Sequence, residues 1–232
     1  MAKRRKSDNE GIEEVVESVD SRVARNDSAG SWIENNAKLV ALIIGALFLL
    51  AAIFIVYKFM IQQPKELEAK ASIYKAEQMF AQDSFALALE NPGVEAEGFL
   101  DIIDNYSGTK TANLAKLYAG ISYLNLGRYD DAISYLESHS GTGNYSPILK
   151  NGNLGDAYSE KGDFGKAISH YQKATSSGED ALLTPYYLYK LGLLNKRQGD
   201  NSAALSAFQK IKEKYPSSNE GETIDVMIRS VS

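Results

Sequence analysis

The chain has no cysteine in 232 residues, which excludes disulfides, thiolate nucleophiles and cysteine-ligated metals. Histidine occurs twice, as His139 and His170, with no cluster of carboxylates beside either in the sequence. Both read as packing or surface residues, and no metal site is expected. No P-loop, G-x-G-x-x-G or H-E-x-x-H pattern occurs. Gly141-Thr142-Gly143 lacks the third glycine and the following helix of a phosphate loop and reads as a turn. Asp130-Asp131 reads as the start of a helix, where carboxylates favour the dipole. These absences predict a protein that is not an enzyme and holds no cofactor. Excess positive charge is lacking too. The formal net charge is −5, so the soluble part of the chain has no basic footprint for nucleic acid.

One long uncharged run is present. Leu39 to Tyr57, LVALIIGALFLLAAIFIVY, has neither charge nor strong breaker. At 1.5 Å per residue it crosses a hydrocarbon core of roughly 30 Å. A polar arm of nearly forty residues precedes it, and its exit, Lys58-Phe59-Met60, has no small-x-small character. A cleaved signal peptide is therefore not expected. A buried helix of this length would show a polar face, and this one has none. Trp32 and Tyr57 flank the run as interface anchors. Lys3, Arg4, Arg5, Lys6, Arg22, Arg25 and Lys38 precede it, against Lys58, Lys65, Lys70 and Lys75 after it. The positive-inside rule then leans towards a cytoplasmic N-terminus, by a small margin. The inverse topology, with a cytosol-facing adaptor, stays open.

Self-similarity governs the remainder. Leu117–Ser138, Gly152–Ala174 and Leu188–Ile211 align, with Gly120, Gly155 and Gly192 in register. Gly127, Gly162 and Gly199 also correspond, as do Ala132, Ala167 and Ala204. Each unit has apolar residues at helical spacing, a glycine break and a second amphipathic stretch. The first glycine suits a close approach of two antiparallel helices, the second a left-handed helix end. Tyr123 and Tyr158 follow the first glycine by one turn, and Pro216 closes the third unit. The period of about 35 residues and these positions resemble the tetratricopeptide repeat family over residues 112–216. Asn195 and His139 depart from its usual aromatic and alanine positions.

Lys65–Leu89 reads as a long helix and Glu95–Tyr106 as the second helix of a degenerate repeat. Asn219–Arg229 reads as a cap over the last apolar face. The expected fold is all-α, a single N-terminal transmembrane helix followed by a tetratricopeptide-repeat helical solenoid. The expected organisation is a polar, disordered cytoplasmic arm (1–37), a transmembrane helix (38–60) and a membrane-proximal helix with degenerate repeat (61–111). Three repeats (112–216) and a capping helix (217–232) follow.

The first helices of stacked repeats line a concave face. Repeat register places Leu114, Leu117, Ile121, Leu124 and Asn125 there from the first unit. The second unit contributes Leu149, Gly152, Asp156, Ser159 and Glu160. The third contributes Tyr186, Tyr189, Leu193, Lys196 and Arg197. The protein-binding groove is then expected at Leu117, Ile121, Leu124, Asp156, Glu160, Tyr186, Tyr189, Leu193, Lys196 and Arg197, running from apolar through acidic to aromatic and basic. The dicarboxylate clamp of chaperone-binding repeat proteins needs Lys and Asn where Leu117 and Ile121 stand, so no clamp is expected.

The entry Trp32-Ile33-Glu34-Asn35-Asn36, one span, a long helix and degenerate repeats together resemble the YfgM-like family of ancillary Sec translocon subunits. That resemblance implies a bacterial inner-membrane protein with a cytoplasmic N-terminus and periplasmic repeats. Implied partners are translocon subunits, periplasmic chaperones or exported chains, besides the bilayer at residues 39–57. A second copy of the chain is a further candidate partner. A subunit of another cell-envelope machine would show the same features.

Overall fold

The computed structural model describes residues 32–33, 35–90 and 92–232. The expectations for the N-terminal arm, and for Glu34 in the entry motif, lie outside the described residues. The chain divides into two compact units between Ile61 and Gln62.

In the first unit, α1 (Ala37–Val56) follows a turn in which the Asn36 side-chain amide donates to the Trp32 carbonyl at 2.8 Å. None of its side chains is buried; Phe48 is 72% exposed. An 18-residue window here has a mean hydropathy of 3.2. A helix that is apolar on every side and covered by no protein is at home only in an apolar medium. Length and composition allow it to span a bilayer. Tyr57–Gln62 continues as a π-helical turn.

The second unit is built of helices, with no strand among the described residues. α2 (Gln63–Ala81) has Pro64 in its first turn. The expected long helix Lys65–Leu89 is in fact two. Asp83 takes a left-handed φ of 55°. The N–H groups of Asp83 and Ser84 close onto the carbonyls of Phe80 and Met79. An aspartate tolerates this conformation better than most residues. The reversal brings α3 (Phe85–Glu90) back so that Ala88 and Leu89 are buried. α4 begins at Phe99, not at the expected Glu95, and ends at Asn105. Glu95 has a φ of 54°, and a Cβ on Gly98 would collide with the Leu89 carbonyl.

Three helix pairs follow: α5 (Lys110–Asn125) with α6 (Tyr129–Ser138), α7 (Ser146–Glu160) with α8 (Phe164–Ser176), and α9 (Leu183–Arg197) with α10 (Asn201–Lys214). The repeated glycines explain the pairing. A Cβ on Gly155 would lie 2.5 Å from the Tyr171 ring, and one on Gly120 2.6 Å from Leu136 Cγ. Phe208 takes the same place over Gly192. Gly162, at φ 77°, turns the chain from α7 into α8. Asp163 and Asp200 then cap α8 and α10 by accepting the N–H groups of Lys166 and Ala203. α5 lies beside α7 and α7 beside α9, so first helices stack on first helices. α11 (Asn219–Arg229) packs on α9 and α10 through Ile224, which is 1% exposed. Its Glu222, Asp225 and Arg229 are exposed.

At the other end of the solenoid, Glu66 of α2 caps α5. Its carboxylate accepts the Lys110 N–H at 2.7 Å and the Thr111 hydroxyl at 3.0 Å. Lys65 donates to the Ser107 carbonyl at 3.3 Å. A carboxylate at a helix N-terminus meets unsatisfied N–H groups and the positive end of the dipole.

Candidate protein-interaction surface

α9 carries the most accessible part of the expected groove. Tyr186, Tyr189, Leu193 and Lys196 recur at three- and four-residue steps and share one helical face. Tyr186 is 40% and Leu193 39% exposed. Tyr189 is half-buried, its ring 6.1 Å from that of Phe208. An exposed tyrosine held by a rigid helix is the type of anchor enriched at the hot spots of protein interfaces.

The cations at this end are held in place. Lys196 donates from Nζ to the Ser230 hydroxyl at 2.9 Å, and the Arg197 guanidinium lies 4.6 Å from the Phe164 ring centroid. Neither pairs with a carboxylate among the described residues.

The middle of the groove differs from the expected acidic character. Asp156 of α7 accepts the Tyr171 hydroxyl at 2.6 Å and the Lys190 ammonium at 2.7 Å. Lys190 in turn sits 4.7 Å from the Tyr186 ring centroid. Burial works against the Lys190 charge, but the Asp156 carboxylate outweighs it and holds the ammonium pKa above the ordinary lysine value. Burial, and then Asp156, push the Tyr171 hydroxyl far above the ordinary tyrosine range. The carboxylate is therefore neutralised from within and ties α7 to α8 and α9. Glu160 stays exposed, 3.5 Å from the Tyr129 hydroxyl that donates to it. At the neighbouring register position, Gly152 is covered by the Tyr187 ring.

The end of the groove at the first repeat, α5, needs correction as well. Leu117 is 4% exposed and belongs to the core with Phe99, Leu136 and Leu154, so it offers no surface. Packing between α5 and its neighbours consumes it. Ile121 and Leu124 are half-buried against the same core. Leu114, at 39% exposure, is the more accessible side chain.

Sequence reasoning passed over Lys190, whose position one residue after Tyr189 carries no motif. It also passed over the role of His139. Its Nδ1 lies 2.7 Å from the Asn113 carbonyl oxygen, and its other ring nitrogen bonds the Ser146 hydroxyl. Burial chiefly, with Lys150 and Lys116 nearby, holds its pKa below the ordinary histidine value against the bond to Asn113. Among the described residues no group of three or more metal-ligating side chains is gathered.

The architecture is thus a solenoid of antiparallel helix pairs whose first helices stack into one continuous surface. Comparison with known families gives its class. Residues 153–219 and residues 114–138 each match a family model described as tetratricopeptide repeat. No curated protein was found to match the chain. The chain carries tetratricopeptide repeats in an all-α fold together with one apolar helix able to span a membrane. Such repeats indicate a scaffold for protein–protein interaction.

Proposed function

We propose that this protein is a membrane-anchored scaffold that binds proteins near the Sec translocon. Its partners in this reading are translocon subunits, export chaperones or emerging exported chains. The N-terminal arm is cytoplasmic and the repeats are periplasmic at the bacterial inner membrane. The observation that carries the reading is the exposed Tyr186–Leu193 face of α9 in a chain that also holds an apolar helix with no buried side chain. The likeness of the entry motif and of the order of parts to the YfgM-like family supports the choice of machine. The binding surface comprises Ile121, Leu124, Glu160, Tyr186, Tyr189, Leu193, Lys196 and Arg197, with Asp156 bracing it from within.

The test is in vivo photocrosslinking from position 186 in intact cells, with adducts identified from fractionated membranes. Adducts with translocon subunits, periplasmic chaperones or exported chains are expected. Adducts with cytosolic proteins alone would reverse the topology. Adducts confined to another envelope machine would end the translocon reading.

A further inference from the structure

A cavity of about 840 Å³ opens where α4 ends, α5 begins and the 139–146 segment crosses between α6 and α7. It exists because α6 is short. α8 has 13 residues and α10 has 14, but α6 stops after 10. The space that a last helical turn fills in the later units is left open here.

The wall that replaces this turn is fastened. His139, 3% exposed, is bonded to the Asn113 carbonyl and the Ser146 hydroxyl. Lys150 donates to the Glu137 carbonyl at 3.0 Å and to the His139 carbonyl, satisfying acceptors that the shortened helix leaves behind. The Ser140 N–H donates to Asn113 Oδ1 at 2.9 Å.

The lining has two characters. Ile103, Ala112 and the exposed Leu114 make an apolar floor. Lys110 and Lys116 supply two cations with no carboxylate partner among the described residues, while Asp104 is the one carboxylate in the lining. The Asn113 amide N–H₂ makes no hydrogen bond among the described residues. Unneutralised cations beside an apolar floor favour a ligand that is both anionic and apolar, and an uncommitted amide donor suits a peptide carbonyl.

The geometry points to this cavity as a binding site for a peptide carboxylate flanked by an apolar side chain. The apolar group rests on Leu114 and Ile103, the carboxylate meets Lys110 and Lys116, and Asn113 donates to the peptide backbone. The carboxylate comes either from a chain terminus or from an internal acidic side chain. This site is separate from the Tyr186 face of α9, and either reading can fail alone.

The test uses the full chain in lipid nanodiscs and fluorescein-labelled glycine-serine peptides followed by fluorescence anisotropy. One peptide ends in leucine with a free carboxylate, a second is its amide, and a third is amidated with an internal leucine–aspartate pair. Binding of the first alone identifies a chain terminus, and binding of the third an internal acid. The double variant Lys110→Gln/Lys116→Gln is expected to weaken binding by about tenfold or more, and added salt to weaken it in the wild type. Leu114→Gln, at a half-open position, is expected to weaken it with the cations intact. Tyr186→Ala is expected to leave it unchanged. Equal affinity of the first peptide and its amide, with no binding of the third, would overturn the proposal. So would an unchanged affinity in the folded lysine double variant or in Leu114→Gln, loss of binding in Tyr186→Ala, or decanoate binding more tightly than any peptide.

Discussion

Gly155→Ala tests the account of helix pairing most directly. Two effects oppose each other. In an isolated helix the change gains about 1 kcal/mol of helix propensity. In the folded chain the new methyl lands 2.5 Å from Cδ1 and Cε1 of Tyr171, against an ordinary carbon–carbon contact of roughly 3.5–4 Å. Something must move by about 1 Å. Tyr171 has little room to do so, being 4% exposed with its hydroxyl 2.6 Å from Asp156. The strain therefore falls on the α7–α8 spacing or on the Asp156–Lys190 tie. Overpacking of this kind costs about 1–3 kcal/mol, so at the middle of that range about 1 kcal/mol of destabilisation remains after the propensity gain. At about 2–4 °C per kcal/mol for a unit of this size, a Tm lower by a few degrees is expected in circular dichroism melts of the full chain in detergent. Hydrogen exchange should quicken in α7 and α8 more than in α10, because coupling in a solenoid is to nearest neighbours. Combining Gly155→Ala with Tyr171→Leu should cost less than the sum of the two single changes. An unchanged or raised Tm for Gly155→Ala would mean that propensity wins and that the glycine is not there for the tyrosine.

Acid should loosen the same region. Burial holds the pKa values of His139 and His170 below the ordinary 6.5, aided by Lys150 and Lys116 around His139 and by Lys173, Lys150 and Lys166 around His170. The unfolded chain then binds more protons than the folded one, so stability is full above about pH 6.5 and is lost as pH falls through the lower folded values. The Tm difference between wild type and His139→Asn is expected to shrink from pH 7 to pH 5; a constant difference refutes the assignment. Lys190→Met strips Asp156 of its cation and should cost about 1–2 kcal/mol, less in an Asp156→Asn background, as read by a double-mutant cycle in urea. Glu66→Gln removes the charge from the α5 cap and should cost about 0.5–1 kcal/mol, seen as faster exchange at the Lys110–Asn113 amides. No change in those amides would mean that Thr109, which already accepts the Ala112 N–H, caps α5 alone.

What the sequence reveals here is set by whether a constraint is local and repeated. Gly120, Gly155 and Gly192 each answer the same demand, a backbone approach that admits no Cβ, so their spacing discloses both the pairing and the period. The break at Asp83 was hidden because it rests on a single non-glycine residue in a left-handed conformation. Nothing in an apolar pattern at helical spacing marks such a residue. The groove register fails at particular places for a related reason. It places side chains by position in an idealised unit, and Leu117, Gly152 and Asp156 are decided by their neighbours instead: a core containing Phe99, the Tyr187 ring, and Lys190. The surface left to a partner is accordingly what intramolecular packing does not consume. Within the proposed groove the accessible side chains lie chiefly on α9, where Tyr186 and Leu193 project, because a first helix late in the array has fewer helices laid across it than α5, which α2, α3 and α4 all contact. The Tyr186 face is thus accessible because α2, α3 and α4 pack on α5 and not on α9.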